Sequence, residues 1–185
     1  MRVSCDLLFS ILFLGAYALA AADQKPPKDF DHNFLSKVPD HHQGAVQMAT
    51  LCEQKAHHPE LKTFCSTLAT EQGQERSQME SWLSSWYGDQ RAAVPEIPRM
   101  QAKQKGMIAK LQSANGEQFD HVFLMNMTEH HEDGMPDMKA CVASAKHSDL
   151  QQLCRQMSQE QQNEVGQMRT WMKEWGAMGT GAKKK

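Results

Sequence analysis

His41-His42 and His130-His131 are adjacent histidine pairs set 89 positions apart, and methionines surround both. Met48 and Met79 accompany the first pair; Met127, Met135, Met138 and Met168 accompany the second. Imidazole and thioether are both good ligands for copper, and thioether selects the soft Cu(I) state. Helical spacing places Met127 one turn from His131, and Met135 and Met138 continue along that side. His41 and Met48 are two turns apart, with Met79 expected to approach from a partner helix. Glu75 and Glu164 can serve as hard ligands. They are equally suited to accept the second ring N–H of a liganding histidine, which fixes its tautomer.

These residues belong to a repeat with a constant offset. Phe30-Asp31-His32 returns as Phe119-Asp120-His121, and Phe34-Leu35 as Phe123-Leu124. Cys52 and Cys65 return as Cys141 and Cys154. Gln72, Glu75, Met79, Trp82 and Trp86 return as Gln161, Glu164, Met168, Trp171 and Trp175. Each element taken singly has a plain structural explanation. Methionine on a helical seam is usually core filler. The four tryptophans suit a hairpin core better than a ligand cage. Gln72 and Gln161 suit buried hydrogen bonds, and His57, His58 and His147 read as solvated turn residues. The set recurring at one register favours a shared chemistry, although an inherited polar network would recur in the same way.

The elements that must position these groups are legible from spacing. Leu61, Cys65, Leu68, Gln72, Glu75, Met79, Trp82 and Trp86 alternate steps of four and three, and so do their copies. This is one seam of a long helix. Phe34, Val38, His41, Ala45, Met48 and Cys52 follow the same rule. Between them, His57-His58-Pro59-Glu60 forms a turn, and Pro59 or Ser148 can start the second helix. Each repeat is therefore expected to be an antiparallel helical hairpin. If Cys52 faces Cys65, facing positions add to about 117 in the first hairpin and about 295 in the second. That register pairs Cys141 with Cys154 and sets His41 or His42 against Glu75, and His130 or His131 against Glu164. A bridge over so short a loop contributes about 3 kcal/mol in the chain-entropy view. Neither hairpin can bury its seam alone, so the expected fold is all-α: a four-helix bundle of two duplicated hairpins. Pro39 and Pro136 should kink or restart their helices.

The organisation read from the chain is a signal segment at 1–22, hairpins at 23–88 and 117–178, and a disordered tail at 179–185. A linker at 89–116 carries a short amphipathic helix with Met100, Gln104, Met107, Ile108 and Leu111. Arg2, the apolar run Leu7 to Leu19, and the small residues up to Ala22 suit a Sec-type signal peptide, too short to span a membrane comfortably. Export leaves four cysteines in an oxidising compartment, which favours disulfides. The formal charge of -2 gives no nucleic-acid footprint. Mean hydropathy is -0.63, so no stable membrane span is expected after cleavage.

The run Phe34-Leu35, His41-His42-Gln43-Gly44-Ala45-Val46-Gln47-Met48-Ala49, Pro59-Glu60-Leu61, Gln72, Glu75, Met79 and Trp82-Leu83 resembles the CopM-like family, a domain of unknown function. The resemblance covers about residues 29–87 and 117–176. It implies a ferritin-like bundle in an exported bacterial protein, periplasmic or secreted, some members of which are associated with copper or silver. Departures from the pattern are specific. Val38-Pro39-Asp40 lacks the methionine that usually leads the first pair, whereas Met127 keeps it in the second. The second repeat, with Met127, Met135, Met138 and Met168 around His130 and His131, therefore reads as the stronger soft-metal site.

Three functions remain in view. The first is a non-enzymatic protein that binds copper, chiefly Cu(I), with Cu(II) and Ag(I) as alternatives, and exchanges it with other copper-handling proteins. The second is a structural or partner-binding bundle without metal. The third is a ferritin-like dinuclear enzyme, disfavoured because no Glu-x-x-His lies on the second helix of either hairpin. No Ser/His/Asp or Cys/His nucleophile arrangement is present, so no catalytic residue is assigned.

Overall fold

The computed structural model describes residues 30–89 and 98–181, with 98–100 and 177–181 as backbone only. The expected signal segment at 1–22, Pro95 and residues 182–185 lie outside the described residues. Five helices follow one another: α1 (Phe30–Lys55), α2 (Pro59–Tyr87), α3 (Pro98–Ser113), α4 (Gly116–Ser144) and α5 (Ser148–Gly181). No strand occurs among the described residues. Pro59 opens α2, where its missing N–H costs no hydrogen bond. Two expectations need correction. Both α1 and α4 continue through their prolines without restarting, and α5 extends to Gly181, so 179–181 are helical.

Helices α1 and α2 form one hairpin, α4 and α5 the other, and the two meet chiefly through α1 and α4. Disulfides close both turns: Cys52–Cys65 with Cα atoms 5.8 Å apart, and Cys141–Cys154 at 6.1 Å. The seams bury two separate apolar clusters. One takes the C-terminal half of α1, the N-terminal halves of α2 and α4, and Val165 and Met168 of α5. The other takes the remaining halves, from Phe34 to Val38, Met79 and Leu83, Met138 to Ala145, and Leu150 to Met157. Each cluster fills one end of the bundle and contains one disulfide.

Helix α3 straps across α1 and α4. Gln104 Nε2 donates to the carbonyl of Asp40 at 3.1 Å, and Lys55 Nζ donates to the carbonyl of Gln112 at 2.8 Å. Asn126 Nδ2 donates to the carbonyl of Met107 at 3.1 Å. Gly44 permits this approach: a Cβ there would lie 2.5 Å from the Gln104 side chain.

Candidate metal centre

A polar layer separates the two apolar ends. Along α1 it falls between Val38 and Ala45, along α2 between Leu68 and Met79, along α4 between Met127 and Met138, and along α5 between Met157 and Val165. Its members are His41, His42, Gln72, Glu75, His130, His131, Gln161 and Glu164. All are buried except Glu164, which is half-buried.

The hairpin register decides which histidine meets which glutamate. His42 Nε2 lies 3.1 Å from Glu75 Oε2, and His131 Nε2 lies 2.7 Å from Glu164 Oε2. His42 Nδ1 also donates to the carbonyl of Val38 at 3.1 Å, so both of its nitrogens are engaged. His131 Nδ1 has no hydrogen-bond partner among the described residues.

His41 and His130 meet each other. They occupy the same position in the two repeats, so their contact lies on the pseudo-twofold axis relating the hairpins. Their ring centroids are 3.7 Å apart with the planes tilted by 31°. His41 Nε2 donates to the carbonyl of His130 at 3.1 Å. His41 Nδ1 and both ring nitrogens of His130 have no partner among the described residues, nor do Gln72 Oε1 and both amide atoms of Gln161. Burial pushes the His41 imidazole down to about 3, and the neighbouring His42 and His131 push the same way. Burial likewise holds His130 well below the ordinary histidine range, helped by His41 and His131. Both rings are therefore neutral, the form that binds metal.

The methionines group across the repeats, which corrects the expectation that each repeat builds its own site. Met48 of the first hairpin belongs to the same buried cluster as Met127 and Met168 of the second. Met138 of the second shares the opposite cluster with Met79 of the first. Met138 is thus separated from Met127 and Met168, and Met135 is only half-buried. Thr128 Oγ1 lies 3.9 Å from the Met168 sulfur and donates weakly to it.

Outside the layer, Glu71 and Glu160 are a repeat pair that spacing did not single out. A cavity of about 280 Å³ between α2 and α5 is lined by Glu71, Glu75 and Glu160 with glutamines beside them. Partial burial and the carboxylate of Glu75 push Glu160 up to about 7. Burial, Glu164 and Glu75 raise Glu71 as well.

The turn histidines are also not simply solvated. Asp120 at the start of α4 accepts from the backbone N–H of His57 at 2.8 Å and of His58 at 2.9 Å, and lies 2.6 Å from His58 Nδ1. Asp31 repeats the arrangement with Lys146 and His147 of the second turn. His58 stacks on Trp175 with centroids 3.8 Å apart, and His147 on Trp86 at the same distance. All four tryptophans are half-buried and pack against the two apolar clusters, and Trp86 and Trp175 also stack on the turn histidines. The recurring Phe-Asp-His triplet was the signal for these clasps, but it carried no hint that each aspartate serves the opposite hairpin.

Among the described residues no group of three or more His, Cys, Asp or Glu side chains is arranged to hold a metal ion. The arrangement that remains is a mixed one, with neutral imidazoles in the layer and thioethers at its two faces. A helical bundle with that core defines the class of protein. The chain belongs to the family described as "Domain of unknown function (DUF305)", which matches residues 31–178. Its fold is similar to that of CopM in the Cu(I)-bound form, at 27% identity and a TM-score of 0.68, over 78% of this chain and 96% of that one. CopM in the Ag-bound form matches at 26% identity and a TM-score of 0.66, over 78% and 96%. A DUF305 protein from Streptomyces coelicolor, provisionally described as secreted, matches at 25% identity and a TM-score of 0.69, over 80% and 95%. No curated protein matches the chain. Among the described residues no helix is long and apolar enough to cross a membrane.

Proposed function

We propose that this chain is an exported, non-enzymatic protein that binds Cu(I) or Ag(I) through buried imidazole and thioether ligands, in the periplasm or secreted. Its role is metal tolerance or delivery to other copper-handling proteins. One observation carries the reading: neutral imidazoles with unpartnered nitrogens lie between two fully buried thioether groups, Met48, Met127 and Met168 on one side and Met79 and Met138 on the other. The donor set suits a soft monovalent ion. His131 is held by Glu164 through Nε2 with its Nδ1 open, the kind of carboxylate support that orients liganding imidazole. Solved CopM structures that contain Cu(I) and Ag support the same reading.

Competition between the mature protein and a Cu(I) chelator tests it. Replacing His130, His131 and Met168 together with Ala should weaken binding by more than about 100-fold, beyond the range typical of outer-shell partners. Unchanged affinity would overturn the ligand assignment.

The apolar packing favours a second reading, a bundle without metal. Met48, Met79, Met127 and Met168 are fully buried, as ordinary core residues are. Under that reading added Cu(I) or Ag(I) leaves the melting temperature unchanged; under ours it raises it.

A further inference from the structure

We propose that one soft monovalent ion binds on the pseudo-twofold axis, shared by the two repeats, with His41 and His130 as its ligands and the Gln72 and Gln161 amides as its surrounding partners. The inference rests on the coinage-metal reading above and gives it a location and a stoichiometry. Four imidazole nitrogens, His41 Nδ1, both of His130 and His131 Nδ1, and three amide atoms of Gln72 and Gln161 are buried in this layer without a hydrogen-bond partner among the described residues. Buried polar atoms are nearly always satisfied, so seven left open in one layer call for a ligand. His130 is the sharpest case, 3% exposed with both nitrogens open.

The surroundings select the ion. Among the described residues His41 and His130 have no carboxylate partner; Glu75 and Glu164 are engaged by His42 and His131 instead. Two neutral nitrogens in a buried layer suit a single positive charge better than two, because desolvating a dication without anionic ligands is far costlier. Both rings are already neutral, so loading displaces no proton from them. Ligation through the open His41 Nδ1 keeps the Nε2–H bond to the His130 carbonyl and replaces the ring-on-ring contact with nitrogen ligation.

Gly134 preserves the room this needs. A Cβ there would lie 3.1 Å from His41 Cε1 and 3.7 Å from Gln161 Oε1. Gly134→Ala keeps every ligand and crowds the ring, so it separates positioning from ligand loss.

The test titrates silver nitrate into the full chain and follows the histidine side-chain nitrogens by NMR. His41 and His130 should shift together within the same single equivalent. His41→Ala and His130→Ala should each remove that equivalent, and the double variant should remove no more. Gly134→Ala should weaken it about tenfold. If silver binds while the His41 and His130 nitrogens of the unaltered chain stay unshifted, the axial site is wrong and the wider reading survives. If silver does not bind at all, the wider reading fails and takes this one with it.

Discussion

The two hairpins differ least at their mutual contact and most at their edges. His41 and His130 stack on each other, the Asp31 and Asp120 clasps are near copies, and His42 and His131 take equivalent glutamates. Away from the axis the copies part. His42 has both nitrogens bonded whereas His131 keeps one open. Pro39 stands where the second repeat has Thr128, whose hydroxyl reaches Met168. His32 pairs with Asp89, while its copy His121 is exposed. A contact that crosses the axis involves both copies at once, so a change in one copy must be met by the other. A peripheral contact carries no such restraint.

The largest test of this comparison is acid unfolding of the metal-free protein. The His41 and His130 imidazoles sit below their ordinary value in the fold, so folding disfavours their protonation. For His41 the stabilising contribution is complete above about pH 6.5 and is lost as pH falls toward 3, and the lowered His130 acts in the same direction. At about 1.4 kcal/mol per unit, the loss is on the order of several kcal/mol. Glu160, raised to about 7, acts the other way: its contribution declines as pH rises from about 4.5 to 7. Glu160 is exposed, so its effect should be much the smaller. Denaturant midpoints measured from pH 3 to 8 should fall steeply on the acid side, and a flat profile there would contradict neutral axial rings.

Next come the two sulfur clusters. Met168→Ala and Met79→Ala should each cost about 2–5 kcal/mol, because both side chains are fully buried. A loss below 1 kcal/mol at either, read by urea denaturation, would show that its end of the bundle is loosely packed.

The clasps should follow. Asp120→Ala leaves two backbone N–H groups unpaired and should cost about 2–3 kcal/mol. Asp31→Ala should cost less, because His147 is more exposed than His58. Thermal melts of the two variants rank them; equal losses would remove the asymmetry.

The smallest effect is expected at Thr128→Val, which removes only the weak hydroxyl-to-sulfur contact and should change stability by less than about 1 kcal/mol. Its sharper readout is metal affinity, which should change if that hydroxyl tunes the Met168 sulfur.

Much of the local architecture was legible in advance. The four-three spacing marked both seams, and the cysteines set a register that the His42–Glu75 and His131–Glu164 contacts follow. The linker helix containing Gln104 and Met107 was visible from its apolar spacing. The roles of Asp31, Asp120, His58 and His147 were not. Each works against the other hairpin, and helical periodicity reports only the face that a residue occupies on its own helix. Glu71 and Glu160 were missed for the same reason, since the groove between α2 and α5 exists only after the hairpins pack.

The amino-acid order alone determined the helices, the turns, the disulfide pairs and which side chains face inward, because hydrogen-bond geometry and local loop length constrain all of these within about 30 residues. Only the tertiary structure decided that His41 meets His130 while His42 and His131 turn to glutamates. It also decided that Met48 joins Met127 and Met168 rather than Met79. Those choices depend on how two hairpins bury their seams against each other, and close packing across that interface selects one pairing among several that every local rule permits.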